Sequence, residues 1–227
     1  MIKIIAKLIA DGGIPSKNSP NYSRESFLLA NKNKNIYGIK VNLYQTKDNT
    51  LVALDDEIKN KLKIDDSYIK NHNYKDLVKL NLGTKVKKSN IVSLYEIAKD
   101  LDDNTNIIID AKSYNSLNFI TELKKTMSKF SNINWFIYSD SLLFLNELIN
   151  ENSNQLIGIY VTNKLALNYS FDFYVIEKQY LNNDINNLSK IFIEGINSRE
   201  ELKKILLQTN LNKDNIYIIN KNIHTFI

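Results

Sequence analysis

"YGIKVNLYQTKDN" (Tyr37–Asn49), followed at once by "LVALDD" (Leu51–Asp56), reads as two extended segments joined by a polar turn. The first segment is rich in β-branched and aromatic residues, yet Lys40 and Asn42 alternate with its apolar side chains. With a side-chain period of two, Lys40 and Asn42 face the same way. A charged residue inside a strand points at solvent or at a site, because a core favours neither its charge nor its desolvation. "IIIDAK" (Ile107–Lys112) repeats the pattern, with Asp110 and Lys112 on one face.

Working outward, short apolar runs of the same kind recur along the whole chain. They cover residues 2–10, 36–44, 106–112, 133–139, 156–161, 171–176, 190–195 and 215–220, with 50–54 extending the second unit. Helix-period stretches alternate with them at 23–32, 93–101, 117–130, 141–149 and 198–208, with a weaker one at 182–189. Phe27, Leu28 and Ala30 carry the first, and Leu202, Ile205 and Leu206 line one face of the last. Ser93 with Glu96, and Ser198 with Glu201, are capping boxes that start two of the helices. The polar stretch from Asp55 to Asn90 lacks a strong period.

Alternating strands and helices imply a parallel sheet covered by helices. Eight units in 227 residues favour one (β/α)8 barrel, a TIM barrel spanning 1–227, with a small insertion at 56–90 after the second strand. An open doubly wound sheet would want a G-x-G-x-x-G turn after the first strand, and "DGG" (11–13) is not one.

Composition narrows the function classes. The chain has no cysteine, which removes disulfides and Cys-based zinc or redox sites. The N-terminal run "MIKIIAKLIADGG" is interrupted by Lys3 and Lys7 and lacks a small-residue cleavage pattern, so it reads as a buried strand. No run is long enough for a membrane span, and a soluble cytoplasmic protein is expected. The net charge of +5 comes from lysines scattered among asparagines; only Arg24 and Arg199 are arginines. Nucleic-acid readers cluster arginine with aromatic platforms, so a nucleic-acid partner is not expected.

A barrel of this type carries its chemistry on loops at the C-terminal strand ends. Those ends hold Asp11, Gly12 and Gly13, then Lys40 and Asn42, Asp55 and Asp56, Asp110 and Lys112, Ser139, Thr162 and Asn163, Glu177, Glu194 and Asn220. A ligand pocket is expected there. His72 and His224, the only histidines, lie away from these ends and read as surface positions.

These residues are also where a resemblance arises. The chain resembles the glycerophosphodiester phosphodiesterase family. "IADGG" (9–13) stands for the family's I-A-H-R-G, and "PNYSRESF" (20–27) for P-E-N-S/T-x-x-A/S-F. "IKVNLYQTKDN" (39–49) and "VALDD" (52–56) stand for I-E-x-D-V-x-x-T-K-D-G and V-V-x-H-D. "IVSLYEI" (91–97) is similar to I/V-P-T-L-x-E, and "IIIDAK" (107–112) to N-I-E-I-K. "IFIEGINSREEL" sits where the family has W-T-V-N, and 56–90 where it carries a small insertion.

The resemblance implies metal-assisted cleavage of glycerol-type phosphodiesters and a place in lipid metabolism. It implies a divalent ion on three carboxylates, with two histidines as acid and base. In this sequence the histidine positions are Asp11 and Asp55, the arginine position is Gly12, and the carboxylate pair of the second strand is Lys40 and Asn42. Asp110 keeps a metal-type carboxylate and Lys112 the phosphate-binding lysine. Hard cations want several anionic oxygens, and the trio Lys40, Asn42 and Asp110 is formally neutral, so no metal cofactor is expected. Lys40 is expected to replace the ion as a fixed cation. Aspartate, with an ordinary pKa of about 3.9, is a poor leaving-group acid at neutral pH.

The expected protein is thus a degenerate family member, a pseudoenzyme holding a small phosphorylated, polyol or sugar ligand. Gly12, Lys40, Asn42, Asp110, Lys112 and Glu194 would contact that ligand, with Asp11 and Asp55 at the catalytic positions. The alternative is a phosphoric diester hydrolase or lyase with metal-free chemistry on Asp11, Asp55 and Lys40.

Overall fold

The computed structural model describes every residue except 1–5, 18, 85–86, 112–116, 150–154, 163–166, 182–184, 186–187, 209–210, 212 and 227. In chain order the elements begin with β1 (Lys7–Asp11), α1 (Arg24–Lys32), β2 (Ile36–Gln45) and β3 (Leu51–Ala53). Three short helices follow, α2 (Asp56–Leu62), α3 (Asp66–Asn71) and α4 (Tyr74–Leu77), then β4 (Val92–Ser93) and α5 (Leu94–Asp100). The second half runs β5 (Asn106–Asp110), α6 (Leu117–Lys129), β6 (Asn134–Ser139), α7 (Leu142–Ile149) and β7 (Leu156–Val161). It finishes with β8 (Phe173–Glu177), β9 (Ile191–Glu194), α8 (Arg199–Gln208) and β10 (Ile216–Asn220).

Eight of the strands form a closed parallel ring. β1 pairs with β2 on one side and with β10 on the other, and the circuit continues through β5, β6, β7, β8 and β9. All eight expected barrel strands are present, in a TIM barrel. The expected eight strand–helix units are met unevenly. Among the described residues α-helices follow β1, β2 (after the insertion), β5, β6 and β9, whereas β8 and β10 lead into 3₁₀ turns at 178–180 and 223–225. The weak helix at 182–189 falls largely outside the described residues. No helix among the described residues is long and apolar enough to cross a membrane.

The insertion is more ordered than its lack of period suggests. Its helices have between four and seven residues, too short for a 3.6-residue period to register in the sequence. Caps define the first two instead: the carboxylates of Asp55 and Asp65 accept hydrogen bonds from the amides of Ile58 and Tyr68. β3 and β4 add an antiparallel flap to the end of β2, with Leu43 opposite Ala53 and Val52 opposite Ser93. The capping box at Ser93 forms as read, with Glu96 reaching back to the Ser93 amide.

Alternation along each strand sorts the side chains into two cores. Outward residues such as Ile39, Val41, Ile107, Ile109 and Ile137 pack with the helices. Inward residues, among them Ile9, Ile108, Phe136, Phe173, Phe192 and Tyr217, fill the barrel. Their rings stack closely, Phe173 on Phe192 at 4.7 Å and Phe192 on Tyr217 at 4.5 Å between centroids. Gly158 makes room for this packing: a β-carbon there would stand 2.4 Å from the Phe173 ring. The middle of the barrel is therefore apolar, with Lys7 donating to the Tyr217 hydroxyl at its N-terminal end and the carboxylates gathered at its C-terminal mouth.

Candidate functional site

Strand register assembles the mouth. Asp11 of β1 is level with Lys40 of β2, Asn42 with Asp110 of β5, Asp110 with Tyr138 of β6, and Glu177 of β8 with Glu194 of β9. Level residues on neighbouring parallel strands point to the same side, so these side chains form one polar layer above the aromatic one.

Lys40 is its centre. Its Nζ lies 2.9 Å from Glu194 Oε1, 3.4 Å from Asp11 Oδ2 and 3.5 Å from Asp110 Oδ2, with the side chain 6% exposed. Burial alone disfavours the ammonium, but the charges of Asp11, Glu194 and Asp110 outweigh it and hold the Lys40 pKa well above the usual lysine value. Lys40 is thus a permanent cation and not a nucleophilic amine.

Phenols complete the carboxylates' hydrogen bonding. Tyr22 donates to Asp11 Oδ1 at 2.6 Å; Tyr138 donates to Asp110 Oδ2 at 2.9 Å and lies 3.2 Å from Glu194 Oε1. Tyr160, stacked on Tyr138, donates to Glu177, which also accepts from Gln179. Burial first, and the adjacent carboxylates second, push the Tyr22 and Tyr138 hydroxyls well above their usual pKa, so both remain neutral donors. One acceptor is left over: Asn42 Oδ1 is buried without a hydrogen-bond partner.

Asp55 belongs to a neighbouring pair. One oxygen caps α2 through the Ile58 amide at 2.8 Å, and the other meets Lys221 Nζ at 2.5 Å. Gly12 presents no side chain and turns with φ +70°, while Tyr22, itself at φ +63°, lays its ring over it. Lys112 lies outside the described residues. His72 stacks on Tyr68, and His224 meets the Pro15 carbonyl.

The structure thus brings Asp11, Lys40, Asn42, Asp110 and Glu194 together and sets Asp55 in its own pair. Tyr138, one position before the end of its strand and level with Asp110, lines the mouth as strand spacing allows. The site also contains two residues that the sequence leaves unmarked. Tyr22 and Lys221 come from loops, where no periodicity signals direction. Among the described residues, Asp11, Asp110 and Glu194 surround the Lys40 ammonium, and Glu177 stands level with Glu194. Among the described residues no group of three His, Cys, Asp or Glu is arranged to hold a metal ion.

No family model matches the sequence, and no curated protein does. Solved structures do. A protein of Galdieria sulphuraria described as a putative glycerophosphodiester phosphodiesterase superposes with a TM-score of 0.77 at 17% identity, covering 98% of this chain and 96% of the other. A phosphodiesterase of Oleispira antarctica, solved with the product sn-glycerol-3-phosphate, gives 0.75 at 12% identity over 97% and 95%. A glycerophosphodiester phosphodiesterase of Agrobacterium tumefaciens gives 0.70 at 11% identity over 98% and 100%. The fold is that of the glycerophosphodiester phosphodiesterases. Within the glycerophosphodiester phosphodiesterase fold, the expected histidine positions thus carry Asp11, bonded to Tyr22, and Asp55, bonded to Lys221.

Proposed function

We propose that this chain is a glycerophosphodiester phosphodiesterase-like protein without metal-dependent hydrolysis, holding a small phosphorylated, polyol or sugar ligand at the barrel mouth. One observation carries the reading: the Lys40 ammonium sits among Asp11, Asp110 and Glu194, all within 3.5 Å. A divalent cation brought to these carboxylates would meet a fixed positive charge within contact distance, and Asn42 offers only a neutral amide oxygen. The donor set does not fit the family's metal. Lys40 supplies one of the charges such an ion would bring, and it does so permanently.

Metal-free acid–base chemistry finds little support in the geometry. Both oxygens of Asp11 are engaged, by Tyr22 and Lys40, and both of Asp55, by the Ile58 amide and Lys221. Neither carboxylate is placed to exchange a proton with a ligand without breaking an existing contact. The position of the mouth, and the product bound by the Oleispira antarctica protein of the same fold, support a small ligand there.

The test is turnover of glycerophosphodiesters and of a chromogenic phosphodiester with added Mg²⁺, with Ca²⁺ and with EDTA. No turnover is expected in any arm. Hydrolysis that rises with the metal and vanishes with EDTA would overturn the proposal. EDTA-indifferent hydrolysis abolished by Asp11→Asn would replace it with metal-free catalysis.

A further inference from the structure

Lysines occur throughout the chain, but their excess over carboxylates does not. Residues 56–90, the insertion at the C-terminal end of β2, hold nine lysines and five carboxylates, and so carry four of the five net positive charges. Those carboxylates are committed. Asp56 and Asp66 pair with Lys59, Asp76 with Lys79 and Glu57 with Lys221, while Asp65 caps α3. Lys63, Lys70, Lys75, Lys87 and Lys88 are exposed and form no ion pair among the described residues. Exposed Lys47 joins them from the turn between β2 and β3. Its amide donates to the His72 carbonyl, which sets it at the corner between α3 and α4, close in the chain to Lys70 and Lys75. The adjacent Asp48 is taken up by the Thr46 hydroxyl and the Tyr74 amide.

Uncovered apolar side chains stand on the same end of the barrel. In the ring, β5 and β6 are the strands that follow β2. Leu117 is the first residue of α6 and Leu143 the second of α7, so both lie where the chain has just left β5 and β6 over the C-terminal face. They are 68% and 78% exposed. An arc of three consecutive strands thus leads into unpaired ammonium groups and then into bare leucines.

Unpaired lysines are drawn to a surface of fixed negative charge, and bare leucines gain by leaving water. A bilayer of anionic lipids offers both, head groups for the first and hydrocarbon for the second. Nucleic acid offers phosphates, but its recognition draws on arginine forks and aromatic platforms, and residues 56–90 contain no arginine. We infer that this arc of the C-terminal face docks on anionic membrane surfaces and turns the barrel mouth toward the lipid head groups. Such docking orients the mouth whichever small ligand it holds.

The experiment is flotation of the intact chain with vesicles of phosphatidylcholine alone and of phosphatidylcholine with about 30% phosphatidylserine. Binding to the anionic vesicles is expected, at least about tenfold tighter than to the neutral ones. Raising ionic strength from about 0.1 M to about 1 M shortens the screening length from about 10 Å to about 3 Å and should release most of the protein. The triple variant Lys47→Glu, Lys70→Glu, Lys75→Glu should bind at least about tenfold more weakly with an unchanged thermal midpoint. Lys34→Glu, Lys203→Glu, Lys204→Glu changes the net charge equally at exposed positions outside the arc and should keep most of the binding. Leu117→Ser with Leu143→Ser should weaken binding about tenfold. No binding, equal binding to both kinds of vesicle, equal losses from the two lysine triples, or no effect of the leucine pair would overturn the inference. Tighter binding to a single-stranded oligonucleotide than to the anionic vesicles would also overturn it and assign the lysines to nucleic acid.

Discussion

At the scale of single residues, the molecule turns on Lys40. Removing one partner from a buried ionic group leaves the others uncompensated, at about 3–5 kcal/mol. Lys40→Met should therefore lose about that much stability at pH 7 in urea unfolding. The folded Lys40 pKa is raised, so its contribution is complete below the unfolded value, about 10.4, and is lost only as pH climbs through the higher folded value. Lys40 should thus stay charged and stabilising across the neutral range, and wild-type urea midpoints should show no Lys40 titration below about pH 10. Gly12 and Tyr22 form a second unit. A β-carbon at Gly12 would stand 2.3 Å from the Tyr22 ring, and the backbone there has φ +70°. Gly12→Ala should destabilise by about 2 kcal/mol or more. Part of that loss should disappear in a Tyr22→Ala background, a non-additivity that a double-mutant cycle reads directly.

At the scale of elements, Asp55 ties the insertion to the barrel. It ends the β3 segment, caps α2 and grips Lys221 just beyond β10. Asp55→Ala removes both contacts and should cost about 1–2 kcal/mol, with faster amide exchange through α2. Asp55→Asn keeps a capping oxygen and should recover most of the cap while losing the ion pair. The insertion shows where reading by period stops. A 3.6-residue repeat needs two or three turns to be visible, and the six residues of α3 do not supply them. Their Asp caps are visible, but a cap alone marks a start without a length. The barrel strands were legible because five or six alternating residues already separate an inward from an outward face.

At the scale of the whole molecule, charge is distributed unequally. The chain is net positive at +5, yet its described mouth gathers carboxylates around one ammonium. Divalent ions should therefore find no site that stabilises the fold. Thermal midpoints should be the same with Mg²⁺, Ca²⁺ or EDTA, because a ligand shifts stability only by binding the folded state. A midpoint that rises with Ca²⁺ concentration would show that the carboxylates open to admit it despite Lys40.

By itself the sequence determined the parallel barrel, the C-terminal mouth as a place for polar groups, and the presence of Lys40 and Asn42 on one face of the second strand. Those follow from local period and residue type, which the chain carries along its length. Only the tertiary structure decided that Lys40 faces Asp11, Asp110 and Glu194 together, that Tyr22 fills the space over Gly12, and that Asp55 is held by Lys221. Ring closure sets those contacts: it brings β1 beside both β2 and β10, and so joins residues 210 positions apart in sequence, such as Lys7 and Tyr217. Which carboxylate meets which cation depends on that closure and on the stagger between strands, neither of which any local stretch encodes.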